Sequence, residues 1–178
     1  MTSRILRSAC LVISVLGLTG FTMSQARAVG PDQTKAEQTA LITAQKTSKI
    51  TLEEGIKSSE REGTPISAKF EMEDGHLQFS AYTMKGDDFT EVVVDPGSGT
   101  IKSAEKITDP DDVTAAKAQK AAMEKTTVSL SAAAEKAAND KSGARLISAI
   151  PELKGGQPVA TIVLVDTDGM QTISEKLD

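Results

Sequence analysis

The stretch Thr90-Glu91-Val92-Val93-Val94-Asp95-Pro96-Gly97-Ser98-Gly99-Thr100-Ile101 limits what this chain can become more than any other. Two heavy atoms on Cβ crowd a helix, so the valine run favours extended backbone. Asp95 and Pro96 favour a turn, and Gly97 and Gly99 accept positive φ. The segment predicts strand, tight turn, strand, and a strand needs a sheet around it.

The first residues point to export. Arg4 and Arg7 precede an apolar run from Ala9 to Leu18, and Ala26-Arg27-Ala28 supplies a small-x-small cleavage pattern. That order of charge, apolar run and small residues predicts a signal peptide over residues 1–28, with a run too short to span a membrane comfortably. Cys10 lies at the start of the run, whereas a lipid-modified cysteine would follow it. Removing 28 of 178 residues leaves 150, enough for one domain or two very small ones. The removed piece carries three arginines and no acid, so 20 basic and 25 acidic residues become 17 and 25, net −8. Such an acidic surface argues against nucleic acid or an anionic membrane face as partner. The single cysteine leaves with the signal, and disulfides, thiol catalysis and cysteine metal sites leave with it. The expected product is a soluble periplasmic or secreted protein with no membrane insertion after cleavage.

The rest of the chain reads as a repeat offset by about 78 residues. Pro31-Asp32 and Pro110-Asp111 each open a helix-favouring stretch, and Ile50-Thr51-Leu52 matches Val128-Ser129-Leu130 at the start of a second. In the first copy, residues 33–47 favour helix, and Thr51-Leu52-Glu53-Glu54 forms a capping box. Gly63-Thr64-Pro65 ends that helix. Ile66, Ala68, Phe70 and Met72 then alternate with Ser67, Lys69, Glu71 and Glu73, as in a half-buried antiparallel strand. Glu73-Asp74-Gly75-His76 and Lys85-Gly86-Asp87-Asp88 are turns. Leu77, Phe79 and Ala81 lie on the buried face of the second strand, 89–94 is the third, and 100–107 is a short fourth. In the second copy Asp109 is an N-cap with Pro110 at the first helical position. The helix that starts at Ser129 stacks Leu130, Ala133, Ala134, Ala137 and Ala138 on one face. Strands follow at 144–150, 159–165 and 170–177, separated by Gly155-Gly156-Gln157-Pro158 and Asp166-Thr167-Asp168-Gly169. The fold class is α+β, each copy packing its helices on an antiparallel sheet of three or four strands. The boundaries are 29–107 and 108–178.

The pattern Asp-Pro/Ala-x-Ser/Thr-Gly-x-Ile/Val closing a valine-rich strand resembles the signature of PepSY domains, here Asp95, Pro96, Ser98 and Gly99 before Ile101. These modules occur in the propeptides of secreted metallopeptidases and in bacterial envelope proteins. From Ile50 to Ile101 the order of capped helix, alternating strand, glycine turn and strand with Tyr82 is similar to one such module. The second copy matches in helix and strand spacing but lacks the Asp-x-x-Thr-Gly turn, so it resembles a degenerate module. The resemblance implies an extracytoplasmic protein that acts by protein contact, with a peptidase as one partner it can hold or inhibit.

Residues able to carry chemistry are few. His76 is the sole histidine and falls in a hairpin turn, with no nucleophile-elbow sequence nearby, so no catalytic role is assigned. Glu71 and Glu73 fall on the strand face expected to meet solvent, and Asp87-Asp88 in a turn, where nothing raises a carboxyl pKa for acid–base work. Asp109, Asp111 and Asp112, and Asp166 and Asp168 with Gly169, lack the ligand series of a calcium loop. Gly97 and Gly99 precede a strand rather than a helix and lack a Gly-Lys-Ser/Thr ending, so they are not a phosphate loop. No cofactor and no metal is expected. What remains is the sheet face away from the helix, where Tyr82, Met84 and Val93 either pack against the other copy or the N-terminal helix or are candidate anchors for a protein or extended peptide. A module binding a small ligand or divalent cation through its acidic turns is the alternative.

Overall fold

The computed structural model describes residues 35–178. The signal peptide, its cleavage site, Pro31-Asp32 and the boundary at residue 29 lie outside these residues. Helix α1 (Lys35–Gln45) is followed by α2 (Leu52–Ser59). The Thr51 hydroxyl accepts the Glu54 N–H at 3.2 Å, and the Glu54 carboxylate takes the Thr51 N–H at 2.8 Å. A 3₁₀ turn over Glu60–Glu62 ends at Gly63, where φ is +150°. Strands β1 (Thr64–Glu73), β2 (His76–Lys85), β3 (Asp88–Val94) and β4 (Ile101–Lys106) follow as a meander. Helices α3 (Pro110–Met123) and α4 (Leu130–Asp140) then lead into β5 (Arg145–Lys154), β6 (Gln157–Asp166) and β7 (Gly169–Lys176). The Asp109 carboxylate caps α3 through the N–H groups of Asp111 and Asp112, and the Ser129 hydroxyl caps α4. No helix among the described residues is long and apolar enough to cross a membrane.

All seven strands belong to one antiparallel sheet in the order β4-β3-β2-β1-β5-β6-β7. The two meanders meet at β1 and β5, where Ala68 faces Ala149 and Lys69 faces Ser148. The small Ala68, Ala149 and Ser148 let the strands pair at the seam without crowding their covering helices. The register slips at Ile66 in β1 and at Ile147 in β5, each a bulge residue with no exposed area. A bulge takes both flanking residues off strict alternation, so Ile66, Ser67 and Ala68 are all buried.

Helix α2 lies on the face that carries Ala68, Phe70, Phe79 and Ala81. Phe70 and Phe79 meet edge to face with centroids 5.3 Å apart, and Gly55 of α2 sits directly on the Phe79 ring. Helix α4 packs beside α2 and buries Leu130, Ala133, Ala134 and Ala137, with Ala138 half-buried. The opposite face is not left to solvent. Helix α3 packs on β5, β1 and β6, and its Asp112 stands beside Tyr82 on that face. The reason is the size of the floor: Ser67, Ser80 and Ser148 are buried there, and Ala116 and Ala122 of α3 are buried against the sheet side of the helix. Small residues on both surfaces allow a helix to lie close.

Candidate interaction surface

The turn Asp95–Gly99 is built from its own side chains. One Asp95 carboxylate oxygen accepts the Gly97 N–H and the Ser98 hydroxyl, each at 3.0 Å, and the other pairs with Lys102 at 2.9 Å. The Lys102 ammonium, then the Ser98 hydroxyl, hold the Asp95 carboxyl below the usual carboxylate range. Gly99, at φ +73°, donates its N–H to the Asp95 carbonyl at 2.8 Å. The Pro96 carbonyl faces away from the turn and accepts the Lys49 N–H at 2.8 Å and the Ser48 hydroxyl at 3.3 Å. All four signature residues therefore close a hairpin, and the hairpin fastens the connection between α1 and α2. Arg145 of β5 grips the same connection: its Nε donates to the Gln45 side chain at 2.6 Å.

Tyr82, Met84 and Val93 are each half-buried. Tyr82 and Met84 pack against the core. Burial and the adjacent Asp112 carboxylate push the Tyr82 phenol far above its ordinary pKa. The register puts all three on one face of the sheet, Met84 two residues along β2 from Tyr82 and Val93 diagonal to it on β3. Tyr82 sits under the first turn of α3. Met84 opens into a cleft of about 630 Å³ among Gly63, Pro65, Lys120 and Leu130, and Val93 lies on β3 opposite Ser80.

Around Tyr82 the structure gathers charges that sequence alternation assigns to open solvent. Lys69 meets Glu71 at 2.6 Å, and the Ser80 hydroxyl donates to Glu71 at 2.8 Å. Burial alone would depress the Lys69 ammonium, but Glu71, Glu91 and Asp112 overcome it and raise its pKa. Glu91 is raised by burial first and by Glu71 second, against the opposing pull of Lys69. Three carboxylates thus share one ammonium beneath a helix end. Nothing in the local pattern announces this grouping, because Asp112 comes from another element.

The remaining candidates serve turns and helix ends. His76 is exposed at the start of β2, where Asp74 and Gly75 form the hairpin turn at φ +49° and +78°. Asp87 pairs with Lys120 of α3 at 2.6 Å, and Asp88 pairs with Lys106 of β4 at 2.6 Å. Asp166 accepts the Asp168 N–H at 2.8 Å and the Gln171 amide at 2.7 Å. Among the described residues no three His, Cys, Asp or Glu side chains are grouped to hold a metal ion. A second cleft, of about 480 Å³, lies at the same end of the sheet between Phe89, Ile107, Val113 and Lys117. No protein-family model, curated protein or solved structure matches the chain.

Proposed function

We infer that this chain is an exported, PepSY-like tandem module that works by contact with another extracytoplasmic protein or an extended peptide, a secreted metallopeptidase being the first partner to test. The observation that carries this reading is the sheet itself, a seven-stranded antiparallel array that ends in β4 on one side and β7 on the other. Edge strands offer rows of backbone donors and acceptors, and strand addition is a recurrent route to peptide capture. The resemblance around Asp95, Pro96, Ser98 and Gly99 supplies the compartment and the partner class. The geometry of that turn makes it a structural element of the module rather than its binding group, since each of its polar atoms described above is committed within the chain.

The test is direct. The purified chain is titrated into a secreted metallopeptidase while hydrolysis of a peptide substrate is followed, and amide shifts of the labelled chain are recorded in parallel. Inhibition with shifts along a sheet edge supports the reading. Unchanged hydrolysis at saturating chain, with unshifted amides, overturns it.

A further inference from the structure

We propose that β7 is a docking edge for a second copy of this chain, joined strand to strand in antiparallel alignment about Thr172. The proposal shares with the preceding reading only the idea that a sheet edge is the working surface. Its experiment contains no peptidase, so the two can fail separately.

In the second meander, β7 occupies the place that β3 occupies in the first. Tyr82 faces Glu91 and Ala81 faces Val92, as Val163 faces Thr172 and Ile162 faces Ile173. Yet β3 carries β4 on its outer side, whereas among the described residues no strand lies outside β7. The Leu177 N–H donates to the Pro158 carbonyl at 3.2 Å, which makes those two residues a hydrogen-bonded pair. Antiparallel pairs alternate in type, and the register from Val159–Lys176 to Asp166–Gly169 is unbroken. Gln171, Ile173 and Glu175 therefore bond inward to β6. Met170, Thr172, Ser174 and Lys176 turn their backbone groups outward. The first meander gives the same answer independently. There the Ile107 N–H donates to the Phe89 carbonyl at 3.0 Å, so Phe89, Glu91 and Val93, the counterparts of Met170, Thr172 and Ser174, are the residues that bond to β4.

The two edges differ in chemistry. Lys102, Glu105 and Lys106 lie on β4, with Lys102 paired to Asp95 and Lys106 to Asp88. Charges on an edge strand guard it against pairing. From Met170 to Ser174, β7 has no charge, no proline and no bulge, and Glu175 ties it to Lys136 of α4. It is a regular and braced edge whose nearby cations, Lys176 and the Lys154 that reaches the Ser174 hydroxyl at 3.5 Å, lie toward its C-terminal end.

The occupant follows from closure and charge. A β7-to-β4 contact would press the bare edge on the charged one and extend without end, whereas β7 on β7 closes with two-fold symmetry. Setting Thr172 opposite Thr172 aligns outward groups with outward groups. It also sets Met170 opposite Ser174 and brings Lys176 to the turn that holds Asp168, twice in the dimer. Both Lys176 and Asp168 are exposed, and neither joins an ion pair among the described residues. Opposite charges across strands favour that register.

Light scattering on a sizing column, over a dilution series of the chain, tests the proposal. The expected mass is twice the monomer at high concentration and falls to the monomer on dilution. Thr172→Pro removes an outward N–H and leaves the β6–β7 ladder whole, so it should keep the wild-type circular dichroism and stay monomeric. Ser174→Lys adds a charge without touching the backbone and should also be monomeric. Lys176→Asp should weaken the dimer several-fold, and the exchange Lys176→Asp with Asp168→Lys should restore it. A wild-type chain that is monomeric at every concentration overturns the proposal, as does a dimer that survives Thr172→Pro or Ser174→Lys. Failure of the charge exchange to restore association overturns the register. A monomer whose Thr172 and Ser174 amides respond only to an added foreign peptide assigns the edge to a different strand and sinks self-association.

Discussion

A methyl group on Gly55 would stand 2.4 Å from the Phe79 ring, closer than any carbon pair tolerates. In an exposed helix, Gly→Ala gains up to about 1 kcal/mol of helix propensity. Here the ring cannot yield, because it is fully buried and packed edge to face with Phe70, centroids 5.3 Å apart. Gly55→Ala should therefore lower stability by about 1–2 kcal/mol net, the overpacking cost exceeding the propensity gain. In a Phe79→Leu background the same change should turn neutral or stabilising. Thermal unfolding of the four proteins checks this, and a stabilised Gly55→Ala in the parent would refute the packing account. Gly99 makes a different demand. Its φ of +73° penalises any side chain, and an added Cβ would lie 3.2 Å from Ile50. Gly99→Ala should cost about 1–2 kcal/mol, read as a drop in Tm. The valine run and its Gly-rich stop already indicate this hairpin. Its contact with the loop before Ile50, nearly fifty positions upstream, is not written in any local pattern.

At the scale of elements, the packing of α3 decides what the second face of the sheet is. Its first turn brings Asp112 to Tyr82, Lys69, Glu71 and Glu91. Glu91 has its pKa raised above the ordinary 4.5, by burial and then by Glu71, with Asp112 adding to it and Lys69 and Ser80 opposing. A carboxyl whose folded pKa is raised binds its proton more tightly in the folded chain than in the unfolded one. Stability at Glu91 is therefore diminished above the raised value, and the loss is relieved as pH falls through it toward 4.5. Glu91→Gln should raise Tm near pH 7, and the gain over the parent should shrink across that interval. A gain that grows on acidification would contradict the arrangement. Local signals sufficed for the elements themselves. The Thr51–Glu54 box, the Asp109 cap and the alanine stripe of α4 each rest on residues within one helix. That α3 in particular covers the second face was not legible, because strict alternation reads Ser67, Ser80 and Lys69 as solvent-facing. Only the pairing of small strand residues with the alanines of α3, set far apart in the chain, reveals a second packed surface.

For the whole molecule the decisive contact is the β1–β5 seam, which a repeat offset suggests no more than two separate sheets. Two helix-covered meanders with few aromatics each would be marginal alone, since small units bury a small share of their surface. Joined, they form one sheet in which Ala68 and Ala149 occupy the centre, with α3 packed across β1, β5 and β6 and α2 beside α4. Layers that cross the seam on both faces couple the halves, so the chain should unfold as one cooperative unit. Hydrogen exchange followed by mass spectrometry provides the measurement. Peptides from β2 and β6, one in each half, should share a single opening free energy under native conditions. Ala149→Lys, which forces a long charged side chain into the fully buried seam, should lower protection of both by the same amount, about 3 kcal/mol or more. If β2 kept its protection while β6 lost it, the halves would be independent domains that merely touch, and the seam would not be the element on which the molecule's stability depends.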